Sequence, residues 1–177
     1  MSIYRLHVPF GSAGANKVYF DLFNAAGSAC DLDILSVLPV VSGANAVSGV
    51  VAVDLALTRT SAVGTTGTAA TQNGTDLTAA TFSPHSAGQV LNANITARLA
   101  PGGGATAGAI LAYRSVFTEE TSAAAYMPVA DMVQPVPGIP PVVVTQGTGI
   151  RVVQGSVASV GTVGFDVTFR VRQAGGA

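Results

Sequence analysis

A chain of 177 residues suits a single domain, and 49% hydrophobic residues suffice for a real core. Only 10% of residues are charged, against roughly 25% in a typical soluble domain, so part of the surface is expected to be covered by other copies or by a partner. A net charge of −1, with single arginines spread along the chain and Lys17 as the one lysine, offers no basic face for DNA or RNA and no polybasic patch for a membrane.

The N-terminal residues Met1-Ser2-Ile3-Tyr4-Arg5-Leu6-His7 contain no continuous apolar stretch, so no signal peptide is expected. No uncharged apolar run approaches the roughly 18 residues of a membrane span. Strands are predicted at 17–24 and 31–41, the second preceded by Cys30. As the single cysteine, Cys30 excludes an intrachain disulfide and reads as a small apolar packing residue. Asp31 and Asp33 lie two apart, which on a strand places both carboxylates on one face. They are candidates for a hard cation or, more simply, for pairing with an arginine such as Arg59.

A long strand is predicted at 48–60, where Val51, Val53, Leu55 and Leu57 alternate with Val50, Ala52, Asp54, Ala56 and Thr58. The stretch 61–88 breaks the pattern, with Val63, Leu77 and Phe82 as its sizeable apolar residues among Thr, Ala, Gly and Ser. It is expected to form a long loop or arm that supplies no core. Further strands are predicted at 93–99, 110–118, 141–146 and 150–154. The segment 123–141, with Tyr126, Met127, Met132, Val133 and Pro135, Pro137, Pro140 and Pro141, reads as extended and non-central. It is either a docking strip or a crossover packed on its own domain. The clearest alternation closes the chain: Val163, Phe165, Val167, Phe169 and Val171 against Thr162, Gly164, Asp166, Thr168, Arg170 and Arg172.

About eight strands separated by Gly, Pro and Thr turns, without sustained helical periodicity, predict an all-β fold. The expected architecture is a two-layer antiparallel β-sandwich, jelly-roll-like, with long loops, in one domain over 1–177. With seven Phe, four Tyr and no Trp, its core is expected to consist mainly of aliphatic layers.

No motif carries chemistry. His7 and His85 are the whole imidazole supply, and neither has an acidic or cysteine neighbour in sequence. No Gly-x-Ser-x-Gly elbow marks a nucleophile. Gly102-Gly103-Gly104 lacks the Lys-Ser/Thr and the helix of a phosphate loop and reads as a flexible connection. Glu119 and Glu120 are adjacent on an extended chain, so they point opposite ways and read as a charged strand end. No catalytic, cofactor-binding or metal-ligating residue is assigned, no cofactor is expected, and the chain is read as a non-enzyme.

Three stretches carry a resemblance: VAVDLALTRTSAVGTTGTA (51–69), AILAYRSVFTEETSAA (109–124) and GTGIRVVQGSVASVGTVGFDVTFRV (147–171). In texture they are similar to the small Ala/Gly/Thr/Val-rich β-proteins encoded among the structural genes of tailed bacteriophages. The resemblance implies a virion structural protein, a capsid decoration or cement protein assembled in the host cytoplasm. Its partners would be the major capsid protein or other virion proteins and its own copies, with a trimer as the expected oligomer. The competing expectation is a phage fibre, tail or receptor/carbohydrate-binding β-sandwich module. Tyr4, Tyr19, Tyr113 and Tyr126 are a thin aromatic supply for a sugar platform.

Overall fold

The computed structural model describes residues 1–41, 52–103, 107–118, 130–133 and 140–173. Among them no helix occurs, and twelve strands form two facing six-stranded sheets, a two-layer β-sandwich. The strands are β1 (Ser2–Ser12), β2 (Val18–Asn24), β3 (Cys30–Val41), β4 (Ala52–Thr60), β5 (Thr68–Ala69) and β6 (Thr71–Gln72). They continue with β7 (Thr81–Pro84), β8 (Ile95–Leu99), β9 (Ala107–Phe117), β10 (Val142–Val144), β11 (Thr148–Gln154) and β12 (Thr162–Gln173). The first sheet runs β10-β3-β12-β1-β7-β6 and the second β5-β8-β2-β11-β4-β9.

The pairing is nested. β1 pairs with β12, β2 with β11, β3 with β10 and β4 with β9, each antiparallel. The first four strands alternate between the sheets, and the last four return beside them in reverse order, as if one long hairpin had been rolled into two layers. β5 to β8 are inserted between β4 and β9. They widen the first sheet beyond β1 and the second beyond β2.

Period-two alternation places the core between the sheets. From the first sheet come Tyr4, Leu6, Val8, Leu32, Ile34, Val37, Val163, Phe165, Val167 and Phe169, and from the second Phe20, Leu22, Val53, Leu55, Leu57, Ile150 and Val152, all buried. Two aromatic groups lie in this core. Tyr19 and Phe20 approach Phe165 with ring centroids 5.2 and 5.4 Å away. Tyr4 and Phe82 flank Phe169 at 5.9 and 6.1 Å.

Two expectations are revised, and a third, left open between two alternatives, is narrowed. The first is the strand count: twelve strands among the described residues replace about eight, because β1, β5, β6 and β7 carry no clean alternation. β1 alternates Tyr4, Leu6 and Val8 inward, but Ile3, Pro9 and Phe10 on or near its other face blur the polar half of the pattern. Residues 48–51 of the predicted strand 48–60 lie outside the described residues.

The second is the stretch 61–88, which does contribute to the core. β7 joins the sheet by pairing with β1, from Tyr4↔Pro84 to His7↔Thr81, and this buries Ala80 and Phe82. A strand added to an existing edge takes its ladder from that edge, so one aromatic residue anchors it. Residues 61–67 lie over the outer face of the second sheet, where the Gly64 amide donates to Asp21 Oδ2 at 2.8 Å. Gly67, with φ +88°, then turns the chain into β5. A Cβ there would sit 2.0 Å from the Leu99 carbonyl oxygen, so only glycine fits.

The third concerns 123–141. Residues 123–129 and 134–139, which include Tyr126, Met127, Pro135 and Pro137, lie outside the described residues. Residues 130–133 pack on the domain itself: Met132 is buried in the core and its amide donates to the Val37 carbonyl. Asp131 accepts hydrogen bonds from the Ser36 hydroxyl and from the Val37 and Val133 amides.

Replacing Phe82 by alanine should cost about 3 kcal/mol and lower Tm by roughly 6–12 °C for a chain of this length. A calorimetric melt checks this, and an unchanged Tm would mean that 81–84 is not part of the cooperative core.

Candidate functional site

The carboxylates singled out in the sequence come to rest against arginines. In the β3·β12 register Asp33 faces Arg170 and Asp31 faces Arg172. Arg170 donates from Nε and Nη2 to Asp33 Oδ2 at 3.0 and 2.6 Å, and Arg172 donates from Nε to Asp33 Oδ1 at 2.9 Å. Arg172 Nη1 lies 3.4 Å from Asp31 Oδ2. The expected partner Arg59 is elsewhere, donating to the Val143 carbonyl. Both oxygens of Asp33 that a cation would use are thus taken by guanidinium groups, which deliver rigid forked donors along one face of neighbouring strands.

Burial pushes the Asp33 carboxyl up, but the hydrogen bonds from Arg172 and Arg170 outweigh it and hold the group below the ordinary carboxylate value. Beside the cluster lies an open groove of about 560 Å³, walled by Met1, Pro140, Pro141, Val143 and Gln173. Among the described residues that line it, Asp33 is paired with Arg170 and Arg172 across the strand pair.

The two histidines sit on or just beyond neighbouring strands of the first sheet. His7 stands on β1 opposite Asp166, with Nδ1 3.7 Å from Asp166 Oδ1 and Nε2 3.2 Å from the Leu77 carbonyl oxygen. Arg5 Nε reaches the same carboxylate at 4.0 Å. His85 follows β7 and offers its backbone amide to the Ile3 carbonyl. Cys30 is buried at the start of β3. Gly102 and Gly103 form the connection beyond β8, with Gly102 N donating to Thr66 Oγ1 at 2.7 Å. Gly104, Glu119 and Glu120 lie outside the described residues. Of the tyrosines, Tyr4 and Tyr19 are core residues. Burial also raises the Tyr19 hydroxyl to about 12, and that hydroxyl donates to buried Gln154 at 2.8 Å.

One buried charge was not anticipated. Asp21 is fully buried on the outer side of the second sheet, in register with Arg98 on β8 and Arg151 on β11. Burial raises its pKa, against hydrogen bonds from the Gly64 and Arg98 amides and the nearby Arg98 and Arg151 charges. The sequence signal was present: a lone carboxylate inside Val18-Tyr19-Phe20-Asp21-Leu22-Phe23 must find donors or stay costly. Its geometry makes it a latch for residues 61–67.

The most unusual surface is an edge. Three sheet edges end on strands of two or three residues, β10, β6 and β5, the short edges that proteins use to discourage pairing. The fourth ends on β9, which is 11 residues long. Among the described residues nothing pairs with its outer side. β9 carries one charge, Arg114, with neither lysine nor proline, and exposes Ile110, Tyr113 and Phe117 at 66%, 53% and 45%.

No protein-family model matches the chain, and no curated protein and no solved structure is found to be similar to it.

Because Asp33 is held below its unfolded value, its contribution to stability is present above the ordinary carboxylate range and lost as pH falls through the depressed value. Asp33→Asn should lower Tm at pH 7 and flatten the fall in Tm as pH drops below the ordinary carboxylate value of about 4. Parallel curves for variant and wild type over that window would contradict the paired-carboxylate assignment.

Proposed function

We propose that this chain is a non-enzymatic virion structural protein, a capsid decoration or cement protein that stabilises a phage head through contacts with its own copies and with the coat protein. The observation that carries the reading is the long, nearly uncharged β9 edge with its exposed apolar side chains, on a protein with few charges of either sign. Such an edge in isolation invites uncontrolled pairing, whereas in an assembly it is a binding surface. The nested order of pairs reads as a jelly roll, an architecture that capsid domains use, which supports the assignment by fold analogy. Asp33 with its two arginines joins neighbouring strands of one sheet, which agrees with a role in which contact area does the work.

The test is made on purified particles. The chain should be present at a fixed copy number on the shell, and particles lacking it should open at a temperature several degrees lower, with added protein restoring the wild-type value. Absence of the chain from particles, or no difference in particle melting, would overturn the reading.

A further inference from the structure

We propose that the outer edge of β9 pairs with β9 of a second copy, antiparallel and centred on Ser115, joining two six-stranded sheets into one.

The argument begins with symmetry. A two-fold axis that makes neighbouring strands antiparallel stands perpendicular to the sheet, so each face of the sheet remains on its own side. Residues directly opposite each other must then share a face, and the axis passes beside a single residue, not between two. The part of β9 with unbroken register against β4 runs from Leu57↔Ala112 to Ala52↔Phe117, and the ladder shifts beyond it.

Within that part the faces are distinct. Val116 is buried toward the core, while Tyr113, Ser115 and Phe117 are exposed on the outer face. That face therefore reads aromatic, hydroxyl, aromatic, and is symmetric about Ser115. An axis at Ser115 sets Tyr113 of each copy opposite the other copy's Phe117, so that both exposed rings are covered by an aromatic cross-strand pair.

Charge is compatible with the same register and excludes the one centred on its neighbour. Arg114 is the only charged residue of β9. Centring on Arg114 would place two guanidinium groups directly opposite each other, which is repulsive. Centring on Ser115 places Arg114 opposite Val116. Ser115 itself donates to Asp54 Oδ1 at 2.5 Å on its own β4, so the carboxylate nearest the axis is already satisfied. A second copy therefore supplies a strand with matching faces and no like-charge conflict. The result is a two-fold pair, not the trimer expected from the sequence, and it needs no other virion component, so it stands or falls separately from the particle assignment.

The experiment uses the full chain in solution. Sedimentation equilibrium at micromolar concentration should show a dimer. Tyr113→Lys combined with Phe117→Lys should weaken self-association about 100-fold, with an unchanged circular-dichroism spectrum. As a second check, Ser115→Cys should form an interchain disulfide on mild oxidation, since opposed Cα atoms about 4.5–5.5 Å apart suit that bond. Tyr113→Cys, which would face Phe117 and not itself, should cross-link far less. A monomeric wild type, including one that binds particles only through another protein, would overturn the proposal. So would a dimer that cross-links equally well at both positions or at neither.

Discussion

Pairing of the first strand with the last is the constraint on which the rest of the molecule depends. β12 is bonded along nearly its full length on both sides, to β1 and to β3, and its inward residues Phe165 and Phe169 are the rings around which both aromatic groups assemble. The register of this ladder is fixed by burial, because a slip of one residue would turn Val163, Phe165, Val167 and Phe169 toward solvent. The arrangement joins residues far apart in sequence, which implies slow, high-contact-order folding relative to helical proteins of similar size.

Ionic groups serve the same end. Asp33 with Arg170 and Arg172 ties β3 to β12 on the outer face of the first sheet, and Asp21 with the Gly64 amide holds residues 61–67 over the outer face of the second. With so few charges in the chain, placing several of them in such ties leaves the remaining surface to hydroxyls, glycine and alanine. A surface of that kind has little electrostatic repulsion between copies. That property favours dense packing on a shared scaffold, provided the contact edges are specific.

Legibility of the sequence followed the strength of alternation. The strand at 162–172 was recognisable because inward Val and Phe alternate with polar residues, and the structure extends it by one residue to Gln173. β7 was hidden because its burial depends on β1, a partner some 80 positions away, and Phe82 gives no local period. The Asp31 and Asp33 pair was visible as a same-face carboxylate motif, yet its arginine partners could be named only from the register with β12. β9 was predicted as a strand, but edge position is a property of the whole sheet and leaves only a faint mark in a single segment. The only local hint was the combination of one charge with three large apolar residues that an interior face would have buried.

Hydrogen exchange of the β9 amides as the free protein is diluted tests the account most directly. If β9 is an assembly edge, its outward-facing amides should be slow at high protein concentration and become fast on dilution, while those of β12 remain slow throughout. β9 protection that does not change with concentration would contradict an account in which this edge is covered by another chain.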